Sequence, residues 1–170
     1  MLVLVFIFWK GEIMVLDYKI GDYIADSSCI YKIIKIENNF VHYETVWGSD
    51  KIFTASIPLD NLKKAGLRKI FTIEEVDQIL KDLKNVKPEI VYTTMVAREE
   101  IYTNNSKGIV SVLVYYWQNQ ATLNKADRDL MEQILERLCQ EMALVTKKEY
   151  SKVRENMVSI LNKRTPIVVV

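Results

Sequence analysis

Histidine occurs once in this chain, cysteine twice, proline three times and glycine five times, and each shortage removes a class of chemistry. Cys29 and Cys139 are far apart and sit in apolar surroundings, so neither a Cys-x-x-Cys metal pair nor a disulfide framework is indicated. Both read as buried free thiols of a reducing compartment. The lone His42 lies in the alternating segment Phe40-Val41-His42-Tyr43-Glu44 with no Ser, Cys or metal partner at a recognisable spacing. It reads as a half-buried strand residue. The glycines are not clustered, so no loop is built to cradle a phosphate. The acidic pair Glu99-Glu100 and the set Asp127, Asp129 and Glu132 read as solvated helix faces. A non-enzymatic protein is expected, with no cofactor, no metal and no small-molecule substrate.

Charge of one sign is also missing. Lys and Arg number 23 against 22 Asp and Glu, a net charge of +1, where dedicated nucleic-acid binders carry a basic face. Up to Lys84 there are 11 basic and 12 acidic residues, and after it 12 and 10. Any surface facing DNA therefore belongs to the second half. With 49% hydrophobic and 26% charged residues over 170 positions, the chain has the composition of a soluble globular protein of one or two small domains. A cytoplasmic location is expected.

Long hydrophobic runs are absent except at the start. Residues 1–9 are wholly apolar, yet far short of the roughly 20 residues a membrane helix needs. They also lack the positive leader and small-residue cleavage site of a secretory signal. Met14 stands immediately before Val15-Leu16-Asp17-Tyr18, where the domain pattern begins, so residues 1–13 are expected to be an upstream extension. An added edge strand and a membrane-surface segment are the alternatives.

What is present divides into strand signals followed by helix signals. Between residues 18 and 58, Ile- and Tyr-rich or alternating runs are punctuated by Glu37-Asn38-Asn39 and Gly48-Ser49-Asp50, which predicts four or five short strands closing into a small barrel. Thr72-Ile73-Glu74-Glu75 is a capping box, and Val76, Ile79, Leu80 and Leu83 form the apolar face of the helix it starts. Residues 109–119 are apolar all round and predict a largely buried helix, with Tyr115, Tyr116 and Trp117 against its neighbours. A long helix follows. Leu130, Ile134, Leu138 and Met142 recur every four residues, widened by Met131, Leu135 and Ala143, and Asn124 is its expected N-cap, with Asp127 in the positive first turn. Thr146-Lys147-Lys148-Glu149 is a second capping box, from which a last helix runs through Tyr150, Val153, Met157, Ile160 and Leu161.

The segment Leu123-Asn124-Lys125-Ala126-Asp127 with the amphipathic run ending at Glu141-Met142-Ala143-Leu144 resembles the late helices of the CarD/CdnL family of bacterial transcription regulators. Tyr18-Lys19-Ile20-Gly21-Asp22 resembles the family's opening, and Phe53-Thr54-Ala55-Ser56-Ile57-Pro58 with Asp60-Asn61 its late strand. Ala65-Gly66-Leu67-Arg68 resembles its hinge. The resemblance covers about residues 18–160 and implies an α+β protein: a Tudor-like (SH3-like) barrel over 14–62, a linker and helix over 63–86, an all-α domain over 87–165 and a tail over 166–170. It also implies that the barrel docks on the β subunit of RNA polymerase and that the helical domain touches promoter DNA.

The residues matching the docking strand are Lys51, Phe53, Ala55, Ser56, Ile57 and Pro58. The family often has an arginine where this chain has Ser56, so docking is expected to rest on the strand's backbone, with the Ala55 amide as a donor at the edge. On the DNA side, the family's tryptophan with basic neighbours corresponds to Ile90-Val91-Tyr92-Thr93-Thr94, and Gln118-Asn119-Gln120 replace its Arg and Lys. Ile90, Tyr92, Arg98, Lys125 and Arg128 are the candidate DNA contacts, with Ile90 or Tyr92 available to insert at a base step. With so few phosphate partners, DNA contact is expected to be weak and dependent on polymerase. The second reading is a polymerase-binding adaptor that contacts another protein instead of DNA.

Overall fold

The computed structural model describes residues 5–9, 12–16, 18–103 and 105–164, the first two stretches as backbone. Among the described residues seven strands precede five α-helices, an α+β arrangement in the expected order. Contacts divide the chain into two units, one of residues up to Ala25 with Cys29–Lys69, the other of Asp26–Ser28 with Ile70 onward.

In the first unit, β1 (Val5–Trp9) and β2 (Glu12–Leu16) pair antiparallel, with Ile7 opposite Met14. Met14 thus lies inside a paired strand, in a two-stranded sheet separate from the five-stranded one. The remaining strands are β3 (Tyr23–Ala25), β4 (Ile30–Glu37), β5 (Phe40–Trp47), β6 (Thr54–Pro58) and β7 (Arg68–Lys69), in the antiparallel order β6-β5-β4-β3-β7. The expected closed barrel is corrected to an open sheet: β7 is two residues long and pairs with β3 alone, and β6 pairs with β5 alone. The β4–β5 turn is the Asn38-Asn39 signal, with φ of 47° and 65°, the doubly left-handed geometry whose twist suits a two-residue hairpin. Shifts of register at Ile34 and at Val46 put one extra residue in β4 and one in β5, and such bulges bend and twist a ladder. Tyr18, Ile24, Ile33, Val41, Leu59, Leu62 and Leu67 form the core under this sheet.

The second unit contains α1 (Ile73–Asn85), α2 (Thr94–Tyr102), α3 (Ser106–Gln118), α4 (Lys125–Thr146) and α5 (Tyr150–Asn162). The Thr72 capping box forms as expected: its hydroxyl accepts from Glu75 N at 3.2 Å while Thr72 N donates to Glu75 Oε2 at 2.7 Å. Asn124 caps α4, accepting from Asp127 N at 2.9 Å. The predicted stripe of α4 is buried, but Arg137, Gln140 and Glu141 are buried beside it. Glu141 is placed there by its partners. It accepts from Phe71 N and pairs with Arg137 at 3.4 Å, while Arg137 Nε donates to Asp26 O of the same unit.

Residues 90–93 precede α2, whose N-cap is Thr93. The expected start of the last helix at Thr146 is corrected to Tyr150, because α4 continues through Thr146, whose hydroxyl donates back to Met142 O at 2.6 Å. Of the cysteines, Cys139 is buried and free, its thiol pushed up by burial to about 12, whereas Cys29 is half-buried. The tail over 166–170 lies outside the described residues.

Candidate interaction surfaces

β6 is an edge of the five-stranded sheet, and the register decides which of its backbone groups face outward. Thr45 N donates to Phe53 O and Leu59 N to Asn39 O, each at 2.9 Å. Between these bonds Tyr43 lies opposite Ala55 and Val41 opposite Ile57. In an antiparallel ladder, opposed pairs alternate between those that exchange bonds and those that do not. Ala55 and Ile57 therefore bond inward to β5, and Thr54, Ser56 and Pro58 present their backbone to the free edge. The Ala55 amide is corrected from an edge donor to a ladder donor. The outward donors are the N–H groups of Thr54 and Ser56, since Pro58 has none.

Phe53, Ala55 and Ile57 share the face toward the sheet core, where Ile57 packs partly buried. Phe53 overhangs it with 57% of its surface exposed, next to Ile52 at 79%. The Phe53 backbone is nevertheless fixed: the buried Thr45 hydroxyl accepts from Phe53 N and donates to Phe53 O, both at 3.3 Å. Lys51, Ala55 and Ser56 are exposed and Pro58 is half-buried. All six expected docking residues thus belong to one edge and its approach. Ile52 and the outward backbone of Thr54 were missed, because their direction depends on register, which a sequence does not print.

The candidate DNA residues divide differently. Tyr92 is 8% exposed and meets Tyr115 edge-on at a centroid distance of 5.6 Å. A ring filling the helical core is not free to insert between bases, so that assignment is corrected. Ile90, at 49%, is exposed, as are Val91 and Met95 at 68% each. Arg98, Lys125 and Arg128 are exposed as expected. Arg128 Nε donates to Leu123 O at 3.0 Å, which ties part of its guanidinium to the chain just before α4.

The starts of α2 and α4 are joined through Asp127, which is buried instead of solvated. Its Oδ1 accepts from Thr94 Oγ1 at 2.6 Å and from Tyr116 Oη at 3.0 Å, and its Oδ2 from Asn124 Nδ2 at 2.7 Å. Burial, then the Asp127 carboxylate, push the Tyr116 hydroxyl well above its ordinary value. Lys125 and Arg128 flank this anchored residue in the first turn of α4.

His42 is half-buried on β5 and its Nε2 lies 3.6 Å from Glu37 Oε1 at the end of β4, a pairing between neighbouring strands. Among the described residues no group of three or more His, Cys, Asp or Glu could hold a metal ion, and no helix is long and apolar enough to cross a membrane. No family model matches the chain, and no curated protein matches it by sequence.

Proposed function

We propose that this chain is a transcription regulator that docks on the β subunit of RNA polymerase by adding a strand of the polymerase to β6, and so brings its helical unit to promoter DNA. The observation that carries the docking is the β6 edge, where two amides and three carbonyls of Thr54, Ser56 and Pro58 face away from β5. Such a row is a template for a partner strand. Phe53 and Ile52 add apolar surface beside it, and Lys51 adds a charge for selectivity. The partner is supplied by the resemblance to the CarD/CdnL family. The bent five-strand sheet, with a bulge in β4 and another in β5, is read on the same ground as a Tudor-like module. In the helical unit, Ile90, Arg98, Lys125 and Arg128 are the residues assigned to DNA.

The protein-only adaptor is the second reading, and the burial of Tyr92 favours it. Without that ring the surface assigned to DNA has one aliphatic wedge and three cations.

Titration of the full chain against the isolated N-terminal lobe of the polymerase β subunit tests the docking. Ser56→Pro removes an outward amide, a substitution that an edge strand tolerates; it is expected to weaken binding by about tenfold or more, the equivalent of one lost backbone bond plus the crowding of a proline ring. Ser56→Ala keeps the amide and should bind as the parent does. Ala55→Pro breaks the β5–β6 ladder itself and should show its effect as lost stability. Parental affinity in a folded Ser56→Pro protein would rule out strand pairing at this edge.

A further inference from the structure

Helices α1, α3 and α5 end around a cavity of about 580 Å³ in the helical unit, which Gln118 lines at the last position of α3. Its charge comes from Lys84, Lys87, Lys163 and Arg164, its apolar wall from Pro88 and Ile160, and among the described residues no carboxylate lines it. None of the four cations forms an ion pair within 4.0 Å among the described residues. Arg164 is fixed in place. Its Nη1 donates to Leu83 O at 2.7 Å and its Nη2 to Val86 O, carbonyls at the end of α1. These partners are neutral, so the guanidinium keeps its charge beside the cavity. Burial lowers its pKa from the ordinary value, a shift that a nearby anion reverses.

Basic residues at helix ends have an ordinary role, to offset the negative end of the macrodipole. The magnitudes show that this role does not use them all: each helix end carries about −0.5 elementary charge, so three ends together leave most of four full positive charges unbalanced. A volume of 580 Å³ also falls within the range of small-ligand sites. Lysines act as point charges for phosphate oxygens. The lysine stems, Pro88 and Ile160 give a planar apolar group a surface to lie on.

We propose that this cavity is a binding site for a compact polyphosphate ligand, held by Lys84, Lys87 and Lys163 around the fixed Arg164. The shared chemistry is a chain of two or three phosphates, carried by a nucleotide or free. Neither the strand edge nor the residues assigned to DNA take part, so the site stands or falls independently of the docking proposal.

Calorimetric titration of the full chain with ATP, inorganic tripolyphosphate and citrate provides the test. Saturable binding of ATP or tripolyphosphate is expected, with citrate at least tenfold weaker. ATP tighter than tripolyphosphate identifies a nucleotide that uses the Pro88–Ile160 wall, and equal affinity identifies the free phosphate chain. Lys84→Gln and Lys163→Gln should each weaken binding about tenfold, while Lys81→Gln, which removes the same charge from α1 one turn before Lys84 at a residue that does not line the cavity, should weaken it far less. The proposal is overturned if neither phosphate probe saturates, if citrate binds equally well, or if Lys81→Gln costs as much as Lys163→Gln. It is also overturned if duplex DNA alone responds to the cavity variants, which would make the four cations a backbone-contact patch.

Discussion

Asp127 gathers donors from three places in the chain: Thr94 opens α2, Tyr116 lies in α3 and Asn124 caps α4. Asp127→Ala would strand those donors in a site that is 8% exposed, and a loss of about 3 kcal/mol is expected in denaturant melts. The Tyr116 hydroxyl gives the same network a pH signature. Its folded-state value is raised above the ordinary 10.0, so its contribution is complete below pH 10 and disappears as pH climbs through the raised value. Tyr116→Phe should lower stability by about 1 kcal/mol at neutral pH and make the fall above pH 10 shallower; an unchanged alkaline slope would exclude Tyr116 as its source. Cys139 titrates in an overlapping range but is present in both proteins. The sequence shows Asp127 as a first-turn acid, which it is. Its burial was not legible, because it depends on Thr94 and Tyr116 arriving through tertiary packing, and local spacing carries no sign of that. The same holds for Tyr92, whose partner Tyr115 is brought to it by tertiary packing.

At the scale of the element, two identical signals had opposite outcomes. Thr72-x-x-Glu75 starts α1, whereas Thr146-x-x-Glu149 straddles the end of α4 and the start of α5. The difference lies upstream: Phe71 precedes a free helix start, but Thr146 follows a helix already running, and its hydroxyl bonds back to Met142 O. The helix stops at Lys147, which adopts φ 54°, while Lys148 N donates to Ala143 O at 3.2 Å. That is the usual left-handed C-terminal motif, occupied by a residue that pays for it in strain. Lys147→Gly is expected to stabilise the protein by about 1 kcal/mol, raising the melting temperature by roughly 2–4 °C. A lower melting temperature would mean that the Lys147 side chain holds the junction. Strands were legible by their alternation and turns by Asn38-Asn39 and Gly48. Register was not. It alone separates Ser56, whose amide faces outward, from Ala55, whose amide is inside the ladder.

For the whole molecule, the near balance of 23 basic and 22 acidic residues limits what the isolated protein can do with DNA. Counterion release scales with the number of phosphates neutralised, and Arg98, Lys125 and Arg128 offer three exposed cations, one of them partly tied to Leu123 O. Free in solution, such a surface binds weakly and with a shallow salt slope. If the protein docks on polymerase as proposed, this surface meets an effective DNA concentration on the order of millimolar, at which a weak contact is populated. The expected outcome is therefore conditional on the docked state. Ile90→Ala and the double variant Arg98→Glu with Lys125→Glu should shorten the lifetime of the promoter open complex, read as dissociation kinetics with polymerase present, without altering affinity for the isolated β lobe. Tyr92 is no test of DNA contact, because Tyr92→Ala would empty part of the helical core. If the Ile90 and charge-reversal variants leave the lifetime unchanged while Ser56→Pro abolishes the effect of the protein, the helical unit works through another protein and the adaptor reading replaces DNA contact.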